Sequence, residues 1–511
     1  MLDDVHKIVL ETLQINKQVI IFLPSRASAE KTAEDLAKLT TFNLPELEQI
    51  ALHALSTPTK QCRRLSNCVR KGVAFHHSGL VAAQREMIED GFKTGTIKVI
   101  CCTPTLAAGL SLPAFRVIIK SLKRFSGSWG MDWIPVLEYL QMAGRAGRPE
   151  YENWGEAITI AKDEKEKEEI YERYVCGVPE EIYSKLAVEP VLRTYLLSLI
   201  SSGIIRDEKS MKDFFGKTFW AYQFQDMKKL EEIMDRMLSL LEGWKFVTVS
   251  GENGNTDFVT ASSIGKKTGR SMKATLLGKR VSELYLDPLT AYHLLECLEE
   301  YDESKNTFSL LQMAAHTLEM RPQLTIKVKD REFVQEELNK RFDQLLEDEP
   351  SAFDDEYGEF MNSIKTTLFL GDWIEEKDED FLMEKYDIRP GEIRAKLEKT
   401  DWLLYAAQEI AKITQHRIAI RELEKLRLRV QDGVREELLV LLKLKGIGRI
   451  RARRLYGNGI KDLGDIKKVD LATLGQILGK AIAEDVKKQV GEEVKEVPAG
   501  KRKGQLGLGK F

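Results

Sequence analysis

The sequence predicts a multidomain chain whose first part is α/β, a parallel sheet covered by helices, and whose remainder is mainly α. Three observations carry this. Short apolar runs alternate with helical patterns as far as about residue 165. Beyond residue 166 the β-like runs thin out and helical periodicity takes over. The length of 511 residues exceeds what one core supports, and at roughly 150 residues per domain it suggests three to five units.

The elements follow in order. QVIIFLP, residues 18 to 24, is a short apolar run that leads into the helical pattern SRASAEKTAEDLAKL. The same order recurs as GVAFHHSGL before VAAQREMIEDGFKTG and as IKVICC before TPTLAAGL, and FRVIIKSL is a further buried strand. A parallel sheet built this way gathers ligands at the carboxyl ends of its strands. This α/β domain spans 1–165. In 166–275, EPVLRTYLLSLISSGII, MKKLEEIMDRMLSLLEGWKFVTVS and DFVTASSIGKKTG read as helices closed by a short β-ribbon, which suits a winged helix. Residues 276–430, including GEIRAKLEKTDWLLYAAQEIAKI, are helical in pattern and suggest a bundle. VREELLVLLKLKGIGRIRARRLYGNGI gives helix, glycine turn and helix, a helix–hairpin–helix over 431–495, and 496–511 is a Gly/Lys-rich tail expected to be disordered alone.

Lys+Arg 77 against Asp+Glu 80 leaves a net charge of -3, which excludes a polycation and requires any nucleic-acid site to be a local patch. The six cysteines lack paired metal-ligand spacing, and nothing at the N-terminus reads as a signal peptide. No apolar run approaches the roughly 20 residues that span a bilayer. A soluble chain of a reducing, cytoplasmic setting, with no metal centre and no membrane contact, is the expectation.

The chemistry concentrates in QMAGRAGRP, where Arg145 and Arg148 stand three residues apart among Gly144 and Gly147. Taken alone this is equally a solvated loop. Preceding it, each at a strand end, are VIIFLPSRASAEKTA, FHHSGL and VICCTPTLAAGLSLPA. Together the four stretches resemble the fourth, fifth and sixth motifs of superfamily-two helicases. In detail the chain resembles the archaeal Hjm-type DNA helicases of the Ski-two-like group, relatives of the helicase part of DNA polymerase theta. The resemblance covers nearly the whole chain, is strongest over 18–160, and returns in LYLDPLTAYHL and the glycine-arginine turn near 446.

That resemblance implies a second RecA-like helicase lobe, a winged helix, a helical ratchet bundle and a helix–hairpin–helix domain. It implies that Arg148 is an arginine finger on the γ-phosphate of ATP, that Arg145 shares that phosphate, and that Gln141 organises it, with Gly109 also at the nucleotide. Guanidinium donors stabilise the charge that develops on a transferring phosphoryl group. Ser25, Arg26, His77 and Ser78 resemble phosphate contacts to DNA, as does Thr103, whose hydroxyl equally suits a helix cap. The adjacent pair His76 and His77 is a poor metal site, because neighbouring side chains on a strand point opposite ways.

KRFSGSWGMDW places Phe125, Trp129 and Trp133 around glycines; the resemblance makes it the strand-separating hairpin, while an ordinary surface hairpin is the alternative. Arg394 and Trp402, eight residues apart and so about 80° from one another on a helix, match the ratchet helix, with Ala395 where relatives carry arginine. The alternative is a tryptophan that packs in the bundle core. LKLKGIGRIRARRLY combines Gly446 and Gly448 with Lys443, Lys445, Arg449, Arg451, Arg453 and Arg454 and no acid; turn amides bind phosphate and the cations add salt-sensitive affinity. By the resemblance, Arg451 to Arg453 grips single-stranded DNA and brakes the motor. Gln505, Leu508 and Phe511 of the tail resemble the box that binds the sliding clamp PCNA.

Neither a G-x-x-x-x-G-K-[ST] loop nor an acidic pair after a strand occurs in the 511 residues. The expectation is that a first RecA-like lobe, in the same or a separate chain, binds most of the ATP and Mg²⁺, and that this chain alone does not hydrolyse ATP. The implied activity is ATP-dependent 3′-to-5′ unwinding of forked or branched DNA in replication-fork repair and recombination, with a nucleoid-associated location. A non-catalytic DNA-binding adaptor and part of an RNA helicase of the same group remain as alternatives.

Overall fold

The computed structural model describes residues 3–55, 57–107, 112–125, 131–147, 154–250 and 270–491. Four of its strands are the apolar runs: β1 (Val19–Phe22), β2 (Val73–His76), β3 (Val99–Cys102) and β4 (Arg116–Ile119). The first three are buried along their whole length, as strands covered on both faces must be, so they lack the alternation of a half-exposed sheet. An antiparallel ribbon, β5 (Lys123–Phe125) and β6 (Met131–Trp133), follows. The next strand, β7 (Glu156–Thr159), pairs at the sheet's edge, where partial exposure keeps EAIT from reading as an apolar run. The sheet order is β2-β3-β1-β4-β7, all parallel.

The chain divides into two compact units, Met1–Thr275 with Asp378–Glu398, and Leu276–Lys377 with Lys399–Phe511. In the first, the helices Glu189–Ser201, Glu208–Phe215 and Met227–Gly243 are joined by an antiparallel pair, β8 (Val247–Ser250) and β9 (Ser271–Ala274), over a core that includes Leu192, Leu196, Leu230, Met234 and Phe246. The segment Asp378–Glu398, expected within the helical domain 276–430, packs instead with the first unit. Its attachment is backbone-close: Gly391 N–H donates to the Gly79 carbonyl at 2.9 Å, and a Cβ on Gly391 would lie 2.5 Å from the Leu80 oxygen.

The second unit is helical. Tyr357–Ile374 runs through its middle, buried over most of its length, and packs against Thr307–Ala315 and Arg417–Asp432. The helix Pro390–Thr414 begins in the first unit and ends in the second. Around residues 434–490 a separate core gathers Leu438, Leu441, Leu444, Ile447, Leu455 and Ile466. The stretch VREELLVLLKL, expected as a helix, forms two short 3₁₀ turns, Glu436–Leu438 and Leu441–Lys443. Leucines 438, 441 and 444 recur every third residue and are all buried, and three residues per turn is the spacing that a 3₁₀ turn stacks on one side. Among the described residues no helix is long and apolar enough to cross a membrane, and no three His, Cys, Asp or Glu side chains are grouped to hold a metal ion.

Candidate nucleic-acid and nucleotide interface

The parallel register sets Phe22, His76 and Cys102 level at the ends of β1, β2 and β3, so the residues that follow them emerge along one edge of the sheet. Ser25 caps the helix Arg26–Ala37 in a reciprocal box with Ser28, its Oγ accepting from Ser28 N–H at 3.2 Å. Arg26 donates from Nη2 to Ser78 Oγ at 3.1 Å and is ion-paired to Glu392. Ser25, Arg26 and Ser78, three of the five residues expected at phosphate, are therefore tied to protein partners on this edge. Thr103 follows β3, but the chain then enters a 3₁₀ turn, Pro104–Ala107, and the Thr103 hydroxyl bonds that of Thr105 at 2.8 Å.

His77 is placed differently from its expectation. Its ring is fully buried and cannot touch a solvent-side phosphate. Nδ1 accepts from Gly79 N–H at 3.1 Å, which puts the ring proton on Nε2, and Nε2 lies 3.2 Å from Glu30 Oε1. Glu30, only 2 % exposed, also accepts from Gln61 Nε2 at 3.2 Å and from Arg64 Nη1 at 2.5 Å. Burial raises the pKa of Glu30, but the His77 hydrogen bond and the Arg389 and Arg64 charges outweigh it and hold the carboxyl at about 2. His76 points the other way, to Glu89 at 3.0 Å, as alternation on a strand requires.

The glycine-arginine turn begins at the end of the helix Val136–Ala143, where Gly144 N–H closes onto the Leu140 carbonyl at 2.8 Å. Gln141 is exposed on the last turn. The turn is pinned to the chain before β4: Ala114 N–H donates to the Arg145 carbonyl and Gly147 N–H to the Ala114 carbonyl, each at 2.9 Å. Gly147 has φ +60°, and a Cβ there would come 2.4 Å from Gly155 N, so glycine is required both for the left-handed backbone and for the contact. Arg145 is half-buried, and its Nη2 donates to the Ala107 carbonyl.

The ribbon β5–β6 pairs Lys123 with Trp133 and Phe125 with Met131. Trp133 is half-buried at its base, with Lys123 Nζ 4.0 Å above the ring and Tyr174 beside it at 5.9 Å. Arg148, Gly109, Trp129, Gln505, Leu508 and Phe511, and the side chain of Phe125, lie outside the described residues.

Along the helix Pro390–Thr414, Arg394 is ion-paired to Glu379. Trp402 is half-buried, its indole N–H donating to the Leu284 carbonyl at 3.1 Å, an anchorage that fixes the ring without enclosing it. At the other end of the second unit Gly446 takes φ +81°, which a side chain there would disfavour, and Gly448 precedes the helix Arg449–Gly457. Its cations fall into two groups. Lys443, Lys445, Arg451 and Arg454 are exposed, Arg451 bridging to the Gly446 carbonyl at 2.7 Å. Arg449 lies 5.2 Å from the centre of the Trp373 ring, and Arg453 is clamped by Glu376 at 2.6 and 2.7 Å and by Glu437 at 2.9 Å. Arg453, expected to grip a strand, thus holds its domain to the end of the helix Tyr357–Ile374. Burial raises the pKa of Glu376, but the Arg453 hydrogen bonds overrule it and keep the carboxyl below its usual range.

Reading the sequence did not find Glu30, Arg389, Glu392, Glu376 or Glu437. Glu30, Glu392 and Glu437 lie inside the stretches quoted above, but nothing in those patterns gives them a role, and Arg389 and Glu376 fall outside them. A carboxylate beside Ala29 and Ala33 on the apolar face of the helix Arg26–Ala37 was the one available signal, for Glu30.

Residues 2–150 match the family described as the helicase conserved C-terminal domain, and residues 308–433 the family described as archaeal helicase, domain 4. The chain is 37 % identical over 510 residues to the ATP-dependent DNA helicase Hel308 of Pyrococcus horikoshii, covering 98 % of this chain and 68 % of that one. It is 36 % identical over 508 residues to the Hel308 of Methanocella arvoryzae, covering 97 % and 66 %, and 35 % identical over 520 residues to that of Methanococcus vannielii, covering 95 % and 68 %. The chain spans about two thirds of the length of these curated relatives.

Proposed function

The chain belongs to the Hel308 family of ATP-dependent DNA helicases, and from that premise we propose that it is the second motor lobe and the DNA-handling domains of a 3′-to-5′ DNA helicase. In this reading 1–165 is the RecA-like lobe, 166–275 a winged helix closed by β8–β9, 276–430 the ratchet domain and 431–495 a helix–hairpin–helix domain whose turn is Gly446–Gly448. Its substrates are single-stranded and forked DNA in fork repair and recombination.

The observation that carries the proposal is the turn Gln141–Gly147. Its backbone is hydrogen-bonded to Ala114 and lies close against Gly155, so the points from which its side chains leave are fixed before any nucleotide arrives. Such a turn fits one wall of an ATP site. ATP and Mg²⁺, held chiefly by a first RecA-like lobe, supply the phosphoryl-transfer chemistry. Gln141 orients, Arg145 neutralises phosphate charge from a guanidinium braced by Ala107, and Arg148 follows as the finger. Base stacking on Trp402 and phosphate contacts at the Gly446–Gly448 turn hold the strand.

The test is reconstitution. With a first lobe supplied, the chain should unwind a 3′-tailed fork, and Arg148→Ala should lower kcat of the DNA-stimulated ATPase by about a thousandfold. Vigorous ATP hydrolysis by pure 1–511, or an Arg148→Ala motor as fast as the parent, would contradict it.

A further inference from the structure

Residues 378–398 meet the α/β lobe through a set of polar contacts that the proposed chemistry does not use. Arg389, the residue before Pro390, reaches across Gly79, where an added Cβ would meet its Cδ at 2.8 Å. Its Nε lies 3.0 Å from Glu30 Oε1, close enough for an ion pair but not aligned as a hydrogen bond, and that N–H has no hydrogen-bond partner. One turn on, Glu392 pairs through Oε1 with Arg26 and through Oε2 accepts the Arg389 backbone N–H at 3.1 Å. Asp380 accepts from Lys60 N–H at 3.1 Å. The lobe's side of these contacts is the edge where β1 and β2 end.

Exposed ion pairs contribute little, typically under about 1 kcal/mol, but Glu30 is fully desolvated and its charge must be matched by the groups around it. Arg26, assigned by family likeness to a DNA phosphate, is already neutralised by a carboxylate of the helix that carries Trp402. That pairing gives Arg26 a second role.

Resting on the motor reading above, we propose that Glu30, Arg389, Arg26 and Glu392 form a latch that fixes the first turns of the helix Pro390–Thr414 to the lobe, so that lobe movement is passed to the DNA-contacting helix. These are positioning residues. A one-turn slip of the helix, about 5.4 Å, breaks the Arg389–Glu30 and Glu392–Arg26 pairs together.

The experiment has two arms. In chain 1–511, amide exchange of 378–398 should accelerate by about tenfold or more in Glu392→Arg and in Arg389→Met while β1, β3 and β4 keep their protection, and the swap Arg26→Glu with Glu392→Arg should restore the slow rate. Unchanged exchange in both folded single variants overturns the latch. With the first lobe supplied, Arg389→Met should raise the ATP hydrolysed per base pair opened by about threefold or more while the ATPase at saturating single strand stays within about twofold. Faster exchange with an unchanged ATP cost overturns the transmission. A parent motor that unwinds nothing sinks the functional reading and the transmission with it, and the exchange arm still decides the latch.

Discussion

The strand-end edge of the α/β lobe and the Gly446–Gly448 turn of the second unit both collect cations near glycines, yet they leave them in opposite states. At the strand ends the charges are matched by protein partners: Arg26 by Glu392 in a half-exposed pair, and the buried Glu30 by His77, Gln61, Arg64 and Arg389. At the turn Lys443, Lys445, Arg451 and Arg454 face solvent, and Arg453 is the one that Glu376 and Glu437 hold. Internal matching in a desolvated place fixes geometry and resists salt, whereas exposed cations around turn amides bind phosphate with an affinity that salt removes. The first region is built to hold a shape and the second to exchange partners.

Acid tests the first region most severely. The Glu30 carboxyl is held at about 2 against 4.5 for the free group, so its contribution is fully present above pH 4.5 and disappears as pH falls from there to about 2. Because Glu30 is buried, the lobe should lose on the order of a few kcal/mol of stability across that window. Unfolding followed against pH should show this slope removed in Glu30→Gln. A slope that survives the substitution would place the acid sensitivity elsewhere and break the contrast.

Trp402 lies between the two cases, anchored at its N–H but half open at its ring. Trp402→Ala should weaken single-strand binding by roughly 1–3 kcal/mol, by about the same amount at low and high salt, since stacking releases no counterions. Titration by fluorescence anisotropy at two salt concentrations measures it, and a loss confined to low salt would show that the ring acts through charge placement instead.

The smallest effects sharpen the second region. Arg451→Ala and Arg454→Ala should each flatten the slope of log affinity against log salt by about 0.7 on single-stranded DNA. Arg453→Ala should leave that slope alone and instead lower the stability of the domain around residues 434–490, because its guanidinium serves Glu376 and Glu437. An Arg453→Ala slope as flat as that of Arg451→Ala would mean that DNA displaces the two carboxylates.

Much of the fold could be read in advance because it is written in local burial. β1, β2 and β3 are covered on both faces, so each appears as an uninterrupted apolar run, and the left-handed turns at Gly147 and Gly446 are marked by glycines. β7 escaped because it is partly exposed along its length, unlike β2 at the opposite edge, which is fully covered. VREELLVLLKL misled because a leucine every third or fourth residue suits an α-helix as well as the 3₁₀ turns it forms.

The site divides along the same line. Which residues emerge at the strand ends, and that glycines shape the arginine turn, follow from residues adjacent in the chain. Whether a given polar group is free does not. His77 finds Glu30 at a separation of 47 residues and Arg453 finds Glu376 at 77. Periodicity and turn chemistry are properties of a few consecutive side chains and so are determined by the sequence itself. The pairing of buried charges depends on which distant carboxylate the completed fold brings within about 3 Å, and desolvation there decides which cations remain for DNA.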